Sequence, residues 1–306
     1  MESTKPFLKW VGGKTQILDD VLSLFPKELV NYHEPFVGGG SVLLGLLSAV
    51  KAGTLKVTGT IYASDVNSNL IGLYKNIQTN PDGLITEVKT LKKDYESCKA
   101  LGETEKANRK AITRDEALSS PEAYYYWIRS RFNAMSKEGR TTVAASAMLL
   151  FMNKTCFRGV YREGPRGFNV PYGNYKSPAI LDEEHIKVVS ALIKNVIFTC
   201  SSFTESLKKP AAGDFVYLDP PYAPETGTSF TSYTADGFTG DDHKALFATC
   251  GTFKAKSVNM LMSNADVTLV KAAFPAPAYT TKIISCRRAI NSKNPESKTN
   301  EVLIAN

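Results

Sequence analysis

The chain is poor in the residues that build metal centres and disulfide frameworks. Its three histidines, His33, His185 and His243, stand far apart, so no HExxH-type pair exists. Cys98, Cys156, Cys200, Cys250 and Cys286 are odd in number and never spaced CxxC, which argues against zinc and against a disulfide framework. A reducing compartment fits them best. Long apolar runs are missing too: none approaches the roughly 20 residues that cross a bilayer. The N-terminal MESTKPFLKW lacks the basic-then-apolar pattern of a secretory leader. No repeat or low-complexity tract is evident. The expectation is a cytoplasmic protein (in the host cell if the source is a phage or virus) with no metal and no membrane partner.

What is present fits a globular fold. Hydrophobic residues make up 43% and charged residues 22% of the chain, which sets disordered and fibrous classes aside. A length of 306 residues allows a core domain with a sizeable insertion. The net charge of +7 hints at a polyanionic partner, though solubility alone would account for it.

KTQILDDVLSLF (Lys14 to Phe25) is expected as a helix with Ile17, Leu18, Val21, Leu22 and Phe25 on one face, stopped by Pro26. NYHEPF then reads as a strand, VGGG as a turn and SVLLGLLSAV as a helix. VTGTIYASD reads as a strand and VNSNLIGLYKNI as a helix. Such alternation implies a parallel sheet with helices on its faces. From Pro81 to Asn195 the pattern turns helical and polar. Strand signals resume with VIFTC, FVYLD, VNMLMSN, YTTKIIS and EVLIAN, with DDHKALFATCGTF as a helix among them. The division expected is one domain over 1–80 and 196–306, interrupted by an inserted domain over 81–195.

Four motifs could carry chemistry. EPFVGGGS places Gly38, Gly39 and Gly40 between a strand and a helix, where open α/β sheets bind nucleotides. A plain helix-start turn would look the same. Asp65 ends the next strand, in YASD, placed either to accept both hydroxyls of a ribose or to cap the following helix. KWVGGK puts Lys9, Trp10 and Lys14 about a Gly-Gly turn. Lys14 suits an anion near a helix start, although a surface lysine and a core tryptophan would read alike. FVYLDPPY is more specific, because its prolines end a strand and hold Asp219 and Tyr222 on a stiff tip. The carboxylate and the Pro220 carbonyl can both accept from one exocyclic amino group. That frees the nitrogen lone pair for attack, while Tyr222 offers a face for an extruded base.

Together PFLKWVGGK, EPFVGGGSV, YASDVN, FNVPYGNYK, YLDPPY, FTSYTADGF, SNAD and CRRAI, in that order, resemble the Dam-like DNA adenine-N6 methyltransferases of the α group, which use S-adenosylmethionine. The resemblance implies an α/β Rossmann-like methyltransferase sheet with an inserted, mainly helical DNA-recognition domain carrying a β-hairpin. It implies cofactor contacts from Trp10, Lys14, Phe36, Gly38, Gly39, Gly40, Asp65 and Asp219. A base pocket of Asp219, Pro220, Pro221 and Tyr222 follows from it, with in-line methyl transfer to a flipped adenine of double-stranded DNA.

Residues 151–178 carry Lys154, Arg158, Arg162, Arg166 and Lys176 against the lone acid Glu163, interleaved with Phe157, Tyr161, Phe168, Tyr172 and Tyr175. Such a hairpin or long loop suits a DNA groove. By the resemblance, Phe157 intercalates, Arg162 reads guanine and Lys9 contacts a base, with Arg158, Val160, Pro171, Tyr175 and Lys176 beside the DNA. The implied site is GATC or a close relative. Arg158 departs from the family's usual Asn before Gly, and EGPRG also differs. Cytosine-N4 methylation ranks lower, since those enzymes more often carry Ser at the place of Asp219. Cytosine-C5 methylation lacks its Pro-Cys pair. A silent DNA-binding regulator would have no need of DPPY. Part of a restriction-modification pair is a further expectation, and the oligomeric state stays open.

Overall fold

The computed structural model describes residues 3–99, 102, 105–224, 237–287 and 298–306. Most of FTSYTADGF and the end of CRRAI therefore lie outside the described residues. Backbone packing divides the chain into two compact units. The first comprises Met1–Lys5, Lys14–Val66 and Asn195–Asn306; the second comprises Pro6–Gly13 and Asn67–Lys194.

The first unit is built on a seven-stranded sheet: β1 Tyr32–Glu34, β2 Ile61–Asp65, β3 Val196–Cys200, β4 Phe215–Leu218, β5 Asn259–Ala265, β6 Thr280–Arg287 and β7 Lys298–Ala305. The order is β6-β7-β5-β4-β1-β2-β3, with β7 antiparallel to both neighbours and every other pair parallel. All four residues of β4 are buried, as are the inner positions of β5. That is why these strands read as continuous apolar runs: a mostly parallel sheet is covered on both faces. Val216, Leu218, Met260, Met262, Val302 and Ile304 meet Leu246 and Phe253 of the Gly240–Phe253 helix in one core.

Every strand expected from the sequence is present. The helix expected over Lys14–Phe25 is not continuous: a 3-10 turn at Thr15–Ile17 precedes an α-helix at Leu18–Ser23. Ile17, at φ −119°, interrupts the helical run, and its N–H bonds three residues back to the Lys14 carbonyl at 3.1 Å.

Strand order reverses between β1 and β4. β2 and β3 lie to one side, and β5, β7 and β6 to the other. In open α/β sheets the crevice outside the carboxyl ends at such a switch point is where ligands bind. β1 runs there into Pro35–Gly40, and β4 into Asp219–Tyr222.

The second unit is mainly helical, with helices Ser68–Thr79, Pro81–Ser97, Pro121–Ala134, Val143–Thr155 and Glu183–Leu192. Side-chain caps start them: Asn67 accepts from Leu70 N, Ser120 from Ala123 N with Pro121 behind it, and Thr142 from Ala145 N. The Ser68–Thr79 helix packs on Val143–Thr155 and Glu183–Leu192. For that reason this unit begins at Asn67, ahead of the 80/81 division suggested by composition.

Candidate active site

Pro220 and Pro221 carry no N–H, so the sheet ladder stops at the tip of β4 and Asp219 is fixed on a stiff turn. Asp219 Oδ1 lies 2.8 Å from Lys14 Nζ. Lys14 is only 4% exposed, its backbone N–H donates to Ser41 Oγ at 2.9 Å, and its ammonium stands 4.9 Å from the centre of the Tyr222 ring. A buried ammonium needs a counter-charge, and Asp219 supplies it. Lys14, read from the sequence as a cofactor contact, thus reaches the DPPY carboxylate. Tyr222 Oη donates to Glu301 Oε2 on β7 at 2.6 Å. On β1, Tyr32 Oη donates to Glu34 Oε2 at 2.7 Å.

Asp219 is thus paired with Lys14 and feels the further acids Glu301 and Glu34 electrostatically. Burial pushes the Asp219 carboxyl up to about 6, with Lys14 pulling it down and Glu301 adding to the rise. Burial likewise pushes Glu34 up to about 8; the Tyr32 hydroxyl opposes this and Asp219 adds to it. At neutral pH Asp219 is mostly ionised and Glu34 mostly protonated. Glu301 and Glu34 had no role in the sequence reading, because a lone acid in an apolar strand carries no local signature.

The turn after β1 is tied to the tip of β2. Gly38 N donates to Asp65 Oδ2 at 3.1 Å and Val37 N to the Ser64 carbonyl at 3.0 Å. Gly38 (φ 46°) and Gly40 (φ 73°) are both left-handed, a conformation that side chains resist. The cap of the following helix is Asn67, so Asp65 does not serve there. A carboxylate has about four lone-pair sites, so it can accept from several donors at once. Phe36 stacks on Phe203 at 5.7 Å and meets Phe238 edge-on at 6.0 Å. These features fit a nucleoside cofactor: a backbone cradle without side chains, an acid at the neighbouring strand tip, and an aromatic ring. Among the described residues no group of three or more His, Cys, Asp or Glu could hold a metal ion.

The second unit gathers the remaining sequence-predicted residues. Asn153, 3% exposed, accepts from Lys9 N at 2.9 Å and donates to the carbonyls of Lys9 and Gly159 at 2.8 and 3.0 Å. It staples the N-terminal segment to the Phe157–Gly159 turn. Gly159 is required there, since a Cβ would lie 2.5 Å from Lys9 Cδ and φ is 65°. Phe157 is 49% exposed, with its N–H donating to the Pro171 carbonyl at 2.9 Å. Arg158 N donates to Tyr175 Oη at 2.8 Å, and Lys9 Nζ stands 5.2 Å from the Tyr175 ring centre. Val160 follows on the turn, with its carbonyl 3.4 Å from Cys156 Sγ. Arg162 Nε donates to Asn169 Oδ1 at 2.7 Å, and Lys176 is exposed. Trp10 stacks on Tyr161 with centroids 5.1 Å apart. The expected hairpin is short, pairing Glu163–Gly164 with Gly167–Phe168. Arg158 takes up the left-handed region at φ 59°. Asn tolerates that region better than other side chains.

Comparison with known proteins gives a consistent result. The family model for D12 class N6 adenine-specific DNA methyltransferases matches residues 10–289. The Type II methyltransferase M.MjaIII of Methanocaldococcus jannaschii is 37% identical over 99% of both chains. Type II methyltransferase M1.LlaDCHI of Lactococcus lactis is 30% identical, over 99% of this chain and 95% of its own. The DNA adenine methylase of Serratia marcescens is 31% identical, over 99% and 98% respectively. Among solved structures, TrmN from Thermus thermophilus aligns with 95% of this chain and 47% of its own, at 11% identity and a TM-score of 0.35, a likeness too loose to carry an argument.

Proposed function

The chain belongs to the D12 class N6 adenine-specific DNA methyltransferases, and from that premise we propose that its DPPY tip holds a flipped adenine of duplex DNA beside S-adenosylmethionine. It is an adenine-specific DNA methyltransferase; the residue roles that follow are our reading. The observation that carries them is the meeting of the Asp219–Tyr222 tip and the Pro35–Gly40 turn at the switch point of the sheet.

S-adenosylmethionine, when bound, supplies a methyl group made electrophilic by its sulfonium. We assign the Gly38–Gly40 turn, Phe36 and Asp65 to holding it, with Asp65 accepting from the ribose hydroxyls. The resemblance adds Trp10 to that set. The amino nitrogen of adenine is a poor nucleophile because its lone pair is delocalised into the ring. Asp219 and the Pro220 carbonyl would each accept one of its hydrogens, drawing it towards a tetrahedral nitrogen. Lys14 keeps Asp219 ionised for that task, and the carboxylate has lone pairs enough for both partners. The Tyr222 ring, held through its hydroxyl by Glu301, offers the face on which the base stacks. No covalent enzyme intermediate is required, so catalysis is positioning and exclusion of water.

In the second unit, the exposed Phe157 suits insertion beside the flipped base and Arg162 suits a guanine edge. On the strength of the resemblance, we take the target to be GATC or a close relative, read in double-stranded DNA. The sheet, on this reading, is a Rossmann-like methyltransferase sheet and residues 67–194 the inserted recognition domain. The test is to incubate the protein with unmethylated DNA and labelled cofactor, digest to nucleosides and identify the product by mass. N6-methyladenine within a GATC-like motif is expected. N4-methylcytosine, or no transfer, would refute the assignment.

A further inference from the structure

The SNAD segment at the end of β5 has no part in the mechanism above. Its Asn264 is 0% exposed. The side-chain oxygen accepts from two backbone N–H groups, Ala223 at 3.0 Å and Ala265 at 2.8 Å. Those two donors fix which end of the amide is oxygen. The other end, Nδ2, is buried with no hydrogen-bond partner among the described residues. A buried donor left unmatched is costly, and the two backbone N–H groups held by the oxygen are what offsets that cost here. The oxygen is what the position needs.

Its partner explains why. Ala223 directly follows Tyr222, and the tip between it and β4 contains Pro220 and Pro221. Without their N–H groups the sheet ladder cannot hold this turn, so the hold falls to side chains from neighbouring strands. Two such holds exist on Tyr222 and Ala223: Glu301 of β7 takes the Tyr222 hydroxyl, and Asn264 of β5 takes the Ala223 N–H. β5 pairs with both β4 and β7, so both holds come from the same side of the turn.

We infer that Asn264 is a positioning residue for methyl transfer, holding the Pro221–Ala223 turn so that the Tyr222 face and the Pro220 carbonyl meet the target base. The inference rests on the reading of DPPY as the base pocket. Loss of the bond would let the turn drift, and a misplacement of about 1 Å suffices to cost about 100-fold in rate.

The test compares Asn264→Ala with wild type in single-turnover methylation of a duplex carrying a site that the wild type modifies, at saturating S-adenosylmethionine. Cofactor affinity, DNA affinity and melting temperature are measured beside it. The rate is expected to fall about 100-fold while both affinities stay near wild type and the protein, although its melting temperature falls with the lost bond, stays folded at the assay temperature. Asn264→Ser, whose hydroxyl can accept from Ala223, should recover part of the loss. With 2-aminopurine at the target position, the rise in fluorescence on extrusion should be smaller for Asn264→Ala. A wild-type rate in Asn264→Ala overturns the inference, and so does a loss that merely tracks unfolding or weaker cofactor binding. Failure of the wild type itself to methylate adenine would instead overturn the reading of the pocket.

Discussion

Replacing Lys14 by alanine would leave Asp219 under the influence of Glu301 with its ammonium gone. The lost bond is charge-assisted, 2.8 Å long and almost wholly buried on the lysine side. Bonds of that kind are worth about 1.5–3 kcal/mol. At about 1.36 kcal/mol per pKa unit, that corresponds to about one to two pH units. Asp219, which titrates at about 6 with Lys14 in place, would then be mostly protonated at neutral pH. Protonation turns one carboxyl oxygen into a donor and removes the negative charge that draws the amino hydrogens. On the proposed mechanism the ionised form is the active one, so the acid limb of the activity profile should move to higher pH. The measurement is kcat/KM for DNA against pH, which reports ionisations before the target base engages. The deficit of Lys14→Ala should be largest below neutrality and shrink as the solution becomes alkaline. An acid limb in the wild-type place, with a uniform drop at every pH, would refute the role given to Lys14.

Three further outcomes follow from other parts of the molecule. Arg162→Ala should relax specificity at one base pair by about 1–3 kcal/mol and leave cofactor affinity alone; single-molecule sequencing of methylated DNA would show added degeneracy, and an unchanged motif would remove Arg162 as a reader. Arg158→Asn should raise the melting temperature, gaining up to about 1 kcal/mol, since the left-handed backbone at φ 59° penalises arginine more than asparagine; a lower melting temperature would mean that contacts of the arginine outweigh its strain. His243 is 1% exposed, edge-on to Phe238 at 4.7 Å, with neither ring nitrogen hydrogen-bonded among the described residues. Burial holds its pKa below the ordinary 6.5, with Asp242 opposing. The neutral ring therefore supports the fold fully above about pH 6.5, and that support is lost as pH falls towards the lower folded value. His243→Phe should flatten this part of the melting-temperature profile, and an unchanged slope would exclude the histidine as its source.

The sheet was legible because its strands are apolar runs bounded by turn residues, and because DPPY and the triple glycine mark two of their tips. What the sequence hid are meetings across long separations. Lys14 and Asp219 are brought together only when β4 takes its place in the sheet, and nothing local to KWVGGK announces that its second lysine will be buried. Asn153, Asn264 and Glu301 are single polar residues inside helical or strand patterns, where periodicity treats them as noise. The Lys14–Phe25 helix failed for a related reason: apolar spacing predicts a face, while Ile17 at φ −119° obeys local packing. That Asn67 caps the helix was equally hidden, since Asp65 and Asn67 are both good capping residues two positions apart.

The short Pro6–Gly13 segment belongs with residues 67–194, and this limits how the protein could be re-engineered. A chimaera that imported only the long insertion from a relative would keep the native Lys9 and Trp10. Lys9 would then face a foreign residue where Asn153 now binds both its amide and its carbonyl, and a foreign surface where Gly159 now makes room for its stem. Trp10 would lose or keep its stack according to what replaced Tyr161. On the proposed reading of the second unit, transplanting target choice requires two cassettes moved together, one of them only a few residues long and lying well ahead of the other. Shuffled libraries that join parents at a single crossover just before residue 67 would separate them, and should yield chains with a mismatched reader even where both parents are active.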